Sequence, residues 1–137
     1  MELRGKTALV TGAGIRLGRA IALALARKGC NLAIHYNRSK DKAVEVQQLA
    51  SEFGVEAKTF QFDLKDFSNL EQLMSAVNDQ MGVADILINN AGNYRKGSGL
   101  KTDIVALQSS FNVNLFAPWW LIQSFMKQLP PEKEGKI

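Results

Sequence analysis

Residues 11–18 read TGAGIRLG, and this stretch decides the fold of the chain. It follows the apolar run Thr7–Val10 and opens a segment whose apolar residues recur at the spacing of one helical face. We expect that face, which comprises Leu17, Ala20, Ile21, Ala24 and Leu25, to be buried. Gly29 ends the predicted helix, after Arg27 and Lys28 in a last turn where the helix dipole favours cations. The glycines therefore lie in a strand-to-helix turn, where free backbone N–H groups can bind a phosphate.

Three glycines of this turn have distinct physical roles. Gly12 allows the tight turn, Gly14 lets a ligand approach the backbone, and Gly18 permits close contact between helix and strand. Their spacing, G-x-G-x-x-x-G, is one residue longer than the common dinucleotide-binding fingerprint. Taken alone, the pattern also fits a glycine-rich turn in any α/β protein, so both interpretations remain open at this point.

Length and composition predict one domain, residues 1–137. Apolar residues make up 46% and charged residues 22%, which is ordinary for a globular protein with a core. The net charge of +4 comes without a run of Lys or Arg, so nucleic-acid binding is not indicated. No segment is long and apolar enough to cross a membrane, and the N-terminal residues lack the apolar core of a signal peptide. Cys30 is the single cysteine, which excludes an internal disulfide; we expect it to be buried and the protein to be cytoplasmic.

Strands and helices are predicted to alternate along the rest of the chain. Residues 32–34, 57–62 and 84–89 are predicted as the second, third and fourth strands. Ser39 is expected to cap the second helix, and Ser68-Asn69-Leu70-Glu71 has the pattern of a capping box that starts the third. The expected buried residues of these two helices are Ala43, Val46, Leu49, Ala50 and Phe53, and Leu70, Leu73, Met74, Val77 and Met81.

The remaining segments complete the predicted architecture. Residues 90–99 are expected to form a flexible connection, 103–128 a long helical region, and Gly135–Ile137 the start of a fifth strand. The alternating order predicts an α/β fold: a Rossmann-like doubly wound parallel sheet with right-handed crossovers, truncated after the start of the fifth strand.

Four short matches, in order and on the expected elements, resemble the short-chain dehydrogenase/reductase family. Residues 11–18 are similar to its glycine motif, Asn89-Asn90-Ala91-Gly92 to its second hallmark, Asp63-Leu64 to the pair after the third strand, and Asn112-Val113-Asn114 to the region of its helix asparagine. The resemblance covers the whole chain but only the N-terminal part of the family fold, since members are nearly twice as long. Arg16, where the commoner pattern has glycine, and residues 35–39 look most similar to the pteridine-reductase-like and 3-oxoacyl-acyl-carrier-protein-reductase-like branches.

The resemblance implies a cofactor site but no metal site. In the family, the position of Asp63 holds the adenine amino group beside the backbone of Leu64, and the turn Asn90–Gly92 carries the cofactor ribose. The alternative for Asp63 is a surface aspartate before a helix, and the alternative for Asn90–Gly92 is a tight strand exit without a ligand. The expected cofactor-binding residues are Gly12, Gly14, Ile15, Arg16, Leu17, Gly18, Asn37, Arg38, Ser39, Asp63, Leu64, Asn90, Ala91 and Gly92.

Residues 37–39 decide the predicted cofactor. An acidic residue there would bind the ribose 2′-hydroxyl of NAD and repel a 2′-phosphate, whereas this chain has Asn37, Arg38 and Ser39. Arg38 and Arg16 could both form charge-assisted hydrogen bonds with a 2′-phosphate. We therefore predict NADP(H) rather than NAD(H); the alternative is that both arginines are solvated surface charges.

Asn114 is the one catalytic candidate. Pro118, four residues later, has no N–H, so the Asn114 carbonyl loses its helical partner and a bend is expected. The resemblance implies that this carbonyl anchors a water in a proton relay; the alternative is a simple proline kink.

The family's catalytic Ser and Tyr-x-x-x-Lys lie beyond the fifth strand, so this chain alone is expected to be inactive. Tyr36 and Lys40 have the right spacing but fall on the adenosine side, and His35 is expected to be structural. The predicted function is the cofactor-binding part of an oxidoreductase that transfers hydride between nicotinamide and a carbonyl/alcohol or pterin-type substrate. The alternatives are a non-catalytic nucleotide-binding module and a truncated chain prone to association.

The late helix is the expected homo-oligomer interface. Its large apolar residues are Trp119, Trp120, Leu121 and Phe125, and at least two of the four are expected to lie in the core instead.

Overall fold

The computed structural model describes residues 2–94 and 97–137. Met1, Arg95 and Lys96 lie outside the described residues, so the predicted connection at 90–99 is described only in part. The strands are β1 (Thr7–Val10), β2 (Asn31–Tyr36), β3 (Ala57–Gln61) and β4 (Ile86–Ile88). The helices are α1 (Arg16–Arg27), α2 (Lys40–Ser51), α3 (Phe67–Met81), α4 (Ile104–Phe111) and α5 (Ala117–Gln128).

The four strands form one parallel sheet in the order β3-β2-β1-β4. In its register, Ala8 of β1 lies between Leu32 of β2 and Ile86 of β4. Helices connect successive strands, and the strand order reverses direction after β3. The predicted doubly wound, Rossmann-like sheet is therefore confirmed.

The start of a fifth strand is also confirmed, as a single parallel bridge. Lys136 pairs with Ile86: its N–H donates to Asp85 O at 3.0 Å, and Leu87 N–H donates to Lys136 O at 2.9 Å. The Asp85 side chain anchors the same segment, because its Oδ1 lies 3.1 Å from Lys133 Nζ and its Oδ2 accepts from Thr7 N–H at 2.9 Å. Burial opposes ionisation of this carboxyl, yet these partners hold the pKa of Asp85 below its ordinary value of 3.8.

The sheet separates two apolar layers. One face of β1, carrying Ala8 and Val10, packs with α1 and α2, whereas Leu9 points to the opposite layer with α3 and α5. This alternation follows from the two-residue period of a strand. Both faces are covered, so the strands form a continuous buried run.

The predicted buried face of α1 is wrong. Gly18, Ala22 and Ala26 are its buried residues, whereas Leu17 is 67% exposed and Ala20 and Ala24 are also exposed. Only small side chains meet the sheet, which lets the helix axis approach closely. The sequence prediction followed the larger apolar side chains, and two of these, Ile21 and Leu25, flank the buried face.

Both predicted helix caps need correction. Asp66 is the N-cap of α3, and its carboxylate accepts from Ser68 N–H at 3.0 Å, so Ser68 belongs to the first turn and does not begin a capping box. Ser39 does stand at the N-cap of α2, but its side chain makes no capping hydrogen bond. Phe53, predicted for the buried face of this helix, lies in the turn after α2; it is exposed, and the Arg27 guanidinium lies 5.6 Å from the centre of its ring.

The long helical region at 103–128 is present but interrupted. A π-helical segment, Asn112–Phe116, joins α4 to α5, and Ala117 N–H bonds Asn112 O across five residues. Leu121 and Phe125 are buried in the core, as expected for two of the four residues, while Trp119 is 61% exposed.

Candidate cofactor-binding site

The loops that follow the four strands surround a cavity of about 670 Å³. It lies at the carboxyl ends of the parallel strands, where open α/β sheets bind their ligands. All of the residues predicted from the sequence line it: Gly12, Gly14, Ile15, Arg16, Leu17, Gly18, Asn37, Arg38, Ser39, Asp63, Leu64, Asn90, Ala91, Gly92 and Asn114. Their binding of a cofactor stays a prediction.

Backbone N–H groups of the glycine-rich turn divide into two sets. Gly12 N–H donates to His35 Nδ1 at 3.1 Å, and Ala13 N–H donates to His35 O at 3.0 Å. Arg19 is the first residue of α1 whose N–H reaches a backbone acceptor, the Ile15 carbonyl at 3.2 Å. The amides of residues 14–18, between Ala13 and Arg19 in the chain, form the second set and have no acceptor within the described part of the chain. They are therefore available to an anion at the positive end of the helix dipole.

The three glycines serve different contacts. Gly12 has φ +64°, a left-handed conformation that favours glycine, as expected of the tight turn. A Cβ at Gly18 would overlap the Gly12 carbonyl oxygen and the Asn90 amide nitrogen, so this close approach requires glycine. At Gly14 a Cβ would point at Ala43 N, 3.2 Å away, so the space there is used by the start of α2. Gly14 also lines the cavity, so its predicted role in ligand approach stays a prediction beside this packing contact.

His35 is structural, as expected, and its protonation state follows from its contacts. Gly12 N–H is a donor, so Nδ1 must be the unprotonated acceptor, and Nε2 then carries the hydrogen and donates to Phe62 O at 3.0 Å. Burial lowers the pKa of His35 to about 4, although the Phe62 carbonyl and the Asp63 charge act in the opposite direction. The ring is neutral at physiological pH.

The end of β4 is fixed to the glycine-rich turn through Thr11 and Asn90. The Thr11 hydroxyl accepts from the N–H groups of Asn90 and Ala91, both at 3.0 Å, and donates to Ile88 O at 3.3 Å. The Asn90 side-chain amide donates to Thr11 O at 2.9 Å and Gly12 O at 3.2 Å. The turn after β4 is thus more than a strand exit, because it holds the glycine-rich turn in place.

The cationic end of the cavity is formed by Arg16 and Arg38. Neither guanidinium forms an ion pair with any residue that the structure describes, whereas the neighbouring Arg19 is bound to Glu45 at 2.8 Å. Arg16 has φ +49°, which explains why the commoner glycine suits this position. Two uncompensated cations beside a set of free amides favour a polyanionic ligand.

Asp63 is only partly free to bind a ligand. Its Oδ1 accepts from Lys65 N–H at 3.0 Å, and its backbone carbonyl accepts from the Asn69 side chain at 3.2 Å. The side chain is half-buried at the cavity wall. Its second carboxylate oxygen remains for a hydrogen-bond donor such as an amino group.

Asn114 uses its side chain to hold the loop after β4. Its Oδ1 accepts from Asn93 N–H at 2.7 Å, and its Nδ2 donates to Asn93 O at 2.8 Å. The predicted irregularity before Pro118 takes the form of the π-helical segment that contains Asn114. The amide pair with Asn93 was not predicted.

Sequence reasoning missed several residues of the cavity wall. Tyr94 stands at the wall with 86% of its surface exposed, and Lys65 adds a further cation. Most of the missed residues are neighbours in sequence of predicted positions, and this adjacency was the signal that could have identified them. The added lining residues are His35, Tyr36, Lys65, Asn93, Tyr94 and Val113.

Residues 2–94 and 97–137 contain neither a candidate membrane-spanning helix nor a candidate metal-binding cluster. No described helix has the length and hydropathy needed to span a membrane. No group of three or more His, Cys, Asp or Glu side chains in these ranges is arranged to hold a metal ion.

A family model described as short chain dehydrogenase matches residues 6–137. Among curated proteins, 3-oxoacyl-(acyl-carrier-protein) reductase FabG of Staphylococcus epidermidis is 33% identical over 132 residues, which are 96% of this chain and 54% of that protein. The chain thus spans about half the length of the curated relatives it matches.

Solved structures give the same result. A short chain dehydrogenase from Burkholderia cenocepacia in complex with NADP superposes with a TM-score of 0.90 at 34% identity, covering 94% of this chain and 53% of that one. FolM alternative dihydrofolate reductase 1 from Brucella canis, complexed with NADP, has a TM-score of 0.90 at 30% identity and covers 98% and 53%.

Proposed function

The chain belongs to the short-chain dehydrogenase/reductase family, and on that premise we propose that it is the N-terminal, cofactor-binding part of an NADP(H)-dependent oxidoreductase. The whole protein would transfer hydride between nicotinamide and a carbonyl/alcohol or pterin-type substrate. The observation that carries the proposal is the 670 Å³ cavity, in which free amides of residues 14–18 and two unpaired arginines share one wall.

The phosphates of the cofactor fit this wall in two places. We assign the pyrophosphate to the free amides at the start of α1, because backbone donors and the helix dipole both favour an anion there. The 2′-phosphate is assigned to Arg16 and Arg38, with Asn37 and Ser39 beside them. Both structural neighbours named above carry NADP, which supports the same preference.

The remaining parts of the proposed cofactor are assigned to the loops that follow β3 and β4. The adenine is assigned to Asp63 and Leu64, and the ribose to Asn90, Ala91 and Gly92. Both side-chain polar atoms of Asn114 are engaged by Asn93, so only its backbone carbonyl is left for the relay water that the family resemblance implies. We therefore keep Asn114 as the catalytic candidate through its carbonyl.

Substrate class is proposed from the relatives' names alone. One is a 3-oxoacyl reductase and one an alternative dihydrofolate reductase, which correspond to the carbonyl and the pterin-type alternatives. We propose a small-molecule substrate for the whole protein, and the two classes can be separated by assaying its turnover with each.

Titration with NADPH and NADH tests the cofactor assignment directly. We expect Gly12→Val to abolish binding of both, because its side chain would meet Ala91 and the turn needs positive φ. Arg38→Asp should move the affinity ratio toward NADH by at least about tenfold, the size of one lost charge-assisted hydrogen bond. Lys28→Asp, at the far end of α1, changes the net charge equally and should leave the ratio unchanged. An unaltered ratio in Arg38→Asp removes that residue from the site.

Non-catalytic binding and association remain the alternative functions. Binding of NADPH without reductase turnover by the whole protein would favour a nucleotide-binding module, and concentration-dependent oligomers without binding would favour an association-prone chain. The proposed homo-oligomer would use the late helices, whose exposed apolar residues are Ile104, Val105, Leu107, Phe111, Leu115, Phe116, Trp119 and Met126.

A further inference from the structure

We infer that His35 is a positioning residue for the anion-binding turn, because it engages two backbone amides of the turn, whereas the next five, whose residues line the cavity, have no backbone acceptor. The inference rests on the proposed function for the identity of the ligand. It adds a residue that neither touches the substrate nor belongs to the glycine motif, and that determines which donors the motif presents.

Three elements meet at the His35 ring. The ring is 98% buried at the carboxyl end of β2, where Nδ1 accepts from Gly12 N–H at 3.1 Å and Nε2 donates to Phe62 O at 3.0 Å. The first bond reaches the turn after β1, and the second reaches the residue after β3. His35 is therefore a bridge across the three strands whose ends form the cavity wall.

The same residue also holds the following amide. His35 O accepts from Ala13 N–H at 3.0 Å, so two consecutive N–H groups of the turn point toward β2. Gly12 adopts φ +64°, and residues 14–18, whose amides have no backbone acceptor in the described part of the chain, line the cavity. A turn lacking the Nδ1 acceptor would have to satisfy the part-buried Gly12 N–H elsewhere, which costs free energy and loosens the turn.

Two isosteric variants separate the two ring contacts. In His35→Asn the amide oxygen occupies the place of Nδ1 and can accept from Gly12, whereas in His35→Gln the amide nitrogen occupies the place of Nε2 and can donate to Phe62. Each variant thus keeps one bond and loses the other. Val77→Ala, in the buried face of α3, serves as a control that lowers stability without touching the turn.

Isothermal titration with NADP⁺ gives the first readout. His35→Gln, which loses the Gly12 bond, should bind NADP⁺ about five- to tenfold more weakly than the parent protein. The affinity of His35→Asn should stay within about twofold of the parent value. Amide hydrogen exchange gives the second: Gly12 N–H should lose protection in His35→Gln and keep it in His35→Asn. Val77→Ala should change the melting temperature but neither of these quantities.

The outcomes are distinct. Equal loss of affinity in both variants, in proportion to stability, overturns the positioning role; no binding by the parent protein overturns the proposed function instead. If His35→Gln does not fold, the ¹⁵N resonances of the parent ring decide: an unprotonated Nδ1 and protonated Nε2 support the inference, and the opposite tautomer overturns it.

Discussion

Acidification from pH 7 to pH 4 should destabilise this protein through His35. The native ring has a pKa lowered by burial to about 4, against an ordinary value of 6.5, and the sequence contains no other histidine. Between these two values the unfolded chain binds a proton that the native protein does not. Stability is therefore complete above pH 6.5 and is lost as the pH falls toward 4.

The size of the effect follows from the shift. Each unit of pKa difference is worth about 1.4 kcal/mol, so the full window removes about 3 kcal/mol of the free energy of unfolding. Three carboxylates with perturbed pKa values are shifted away from this range: Lys42 beside Glu45 and Lys136 beside Glu134 lower the pKa values of these groups from 4.5, and that of Asp85 lies below 3.8. The slope between pH 6.5 and 4.5 accordingly reports His35.

Urea unfolding followed by far-UV circular dichroism, at half-unit steps from pH 7.5 to 4.5, measures this slope. His35→Asn is the matched variant, since its side chain has no proton to bind in this range. We expect the midpoint to fall with pH in the parent protein and to stay nearly constant in the variant. A parent curve that is flat between pH 6.5 and 4.5, or a variant with the same slope, would refute the assignment of a buried neutral ring.

Two further predictions concern the glycine-rich turn and the late helices. Gly18→Ala should lower the free energy of unfolding by about 1–3 kcal/mol and weaken NADPH binding, because the added Cβ overlaps Gly12 O. Calorimetry should show a smaller loss of stability for Gly14→Ala, and equal losses in the two variants would contradict this reasoning. Trp119→Lys should shift any oligomer toward monomer in sedimentation velocity, since the side chain is 61% exposed on the apolar surface of α5. Phe53→Lys, in the turn after α2, is the control, and an equal shift there would count against a specific interface.

Local sequence patterns predicted the architecture well. The order of strands and helices and the position of the glycine-rich turn follow from periodicity and short motifs, because each depends on neighbours in the chain. The family resemblance added most of the remaining cavity residues that were predicted. The prediction of the buried face of α1 failed because several of its positions carry side chains of comparable apolarity. On α1 the apolar positions fit several helical faces, and only the closeness of the sheet selected Gly18, Ala22 and Ala26.

The cap of α3 shows the same limit at one position. Asp66 and Ser68 are both good N-cap residues, and the sequence pattern around Ser68 was the more complete. The structure selects Asp66, whose carboxylate also accepts from the Ser68 hydroxyl at 2.7 Å, because the chain leaves β3 with its turn at residues 63–66. The position of this reversal depends on where β3 ends. The sequence pattern of the helix alone does not contain that information.

The sequence by itself determined that a parallel α/β sheet presents a glycine-rich turn, with Arg16 and Arg38 as candidate ligands, at its carboxyl edge. Only the tertiary structure decided how that edge is held: His35 bonds Gly12 across 23 residues, Asn114 bonds Asn93 across 21, and Asn90 bonds Thr11 across 79. Such bonds require exact distances between segments far apart in the chain. Those distances are fixed by how helices pack on the sheet and not by any local preference of the residues involved.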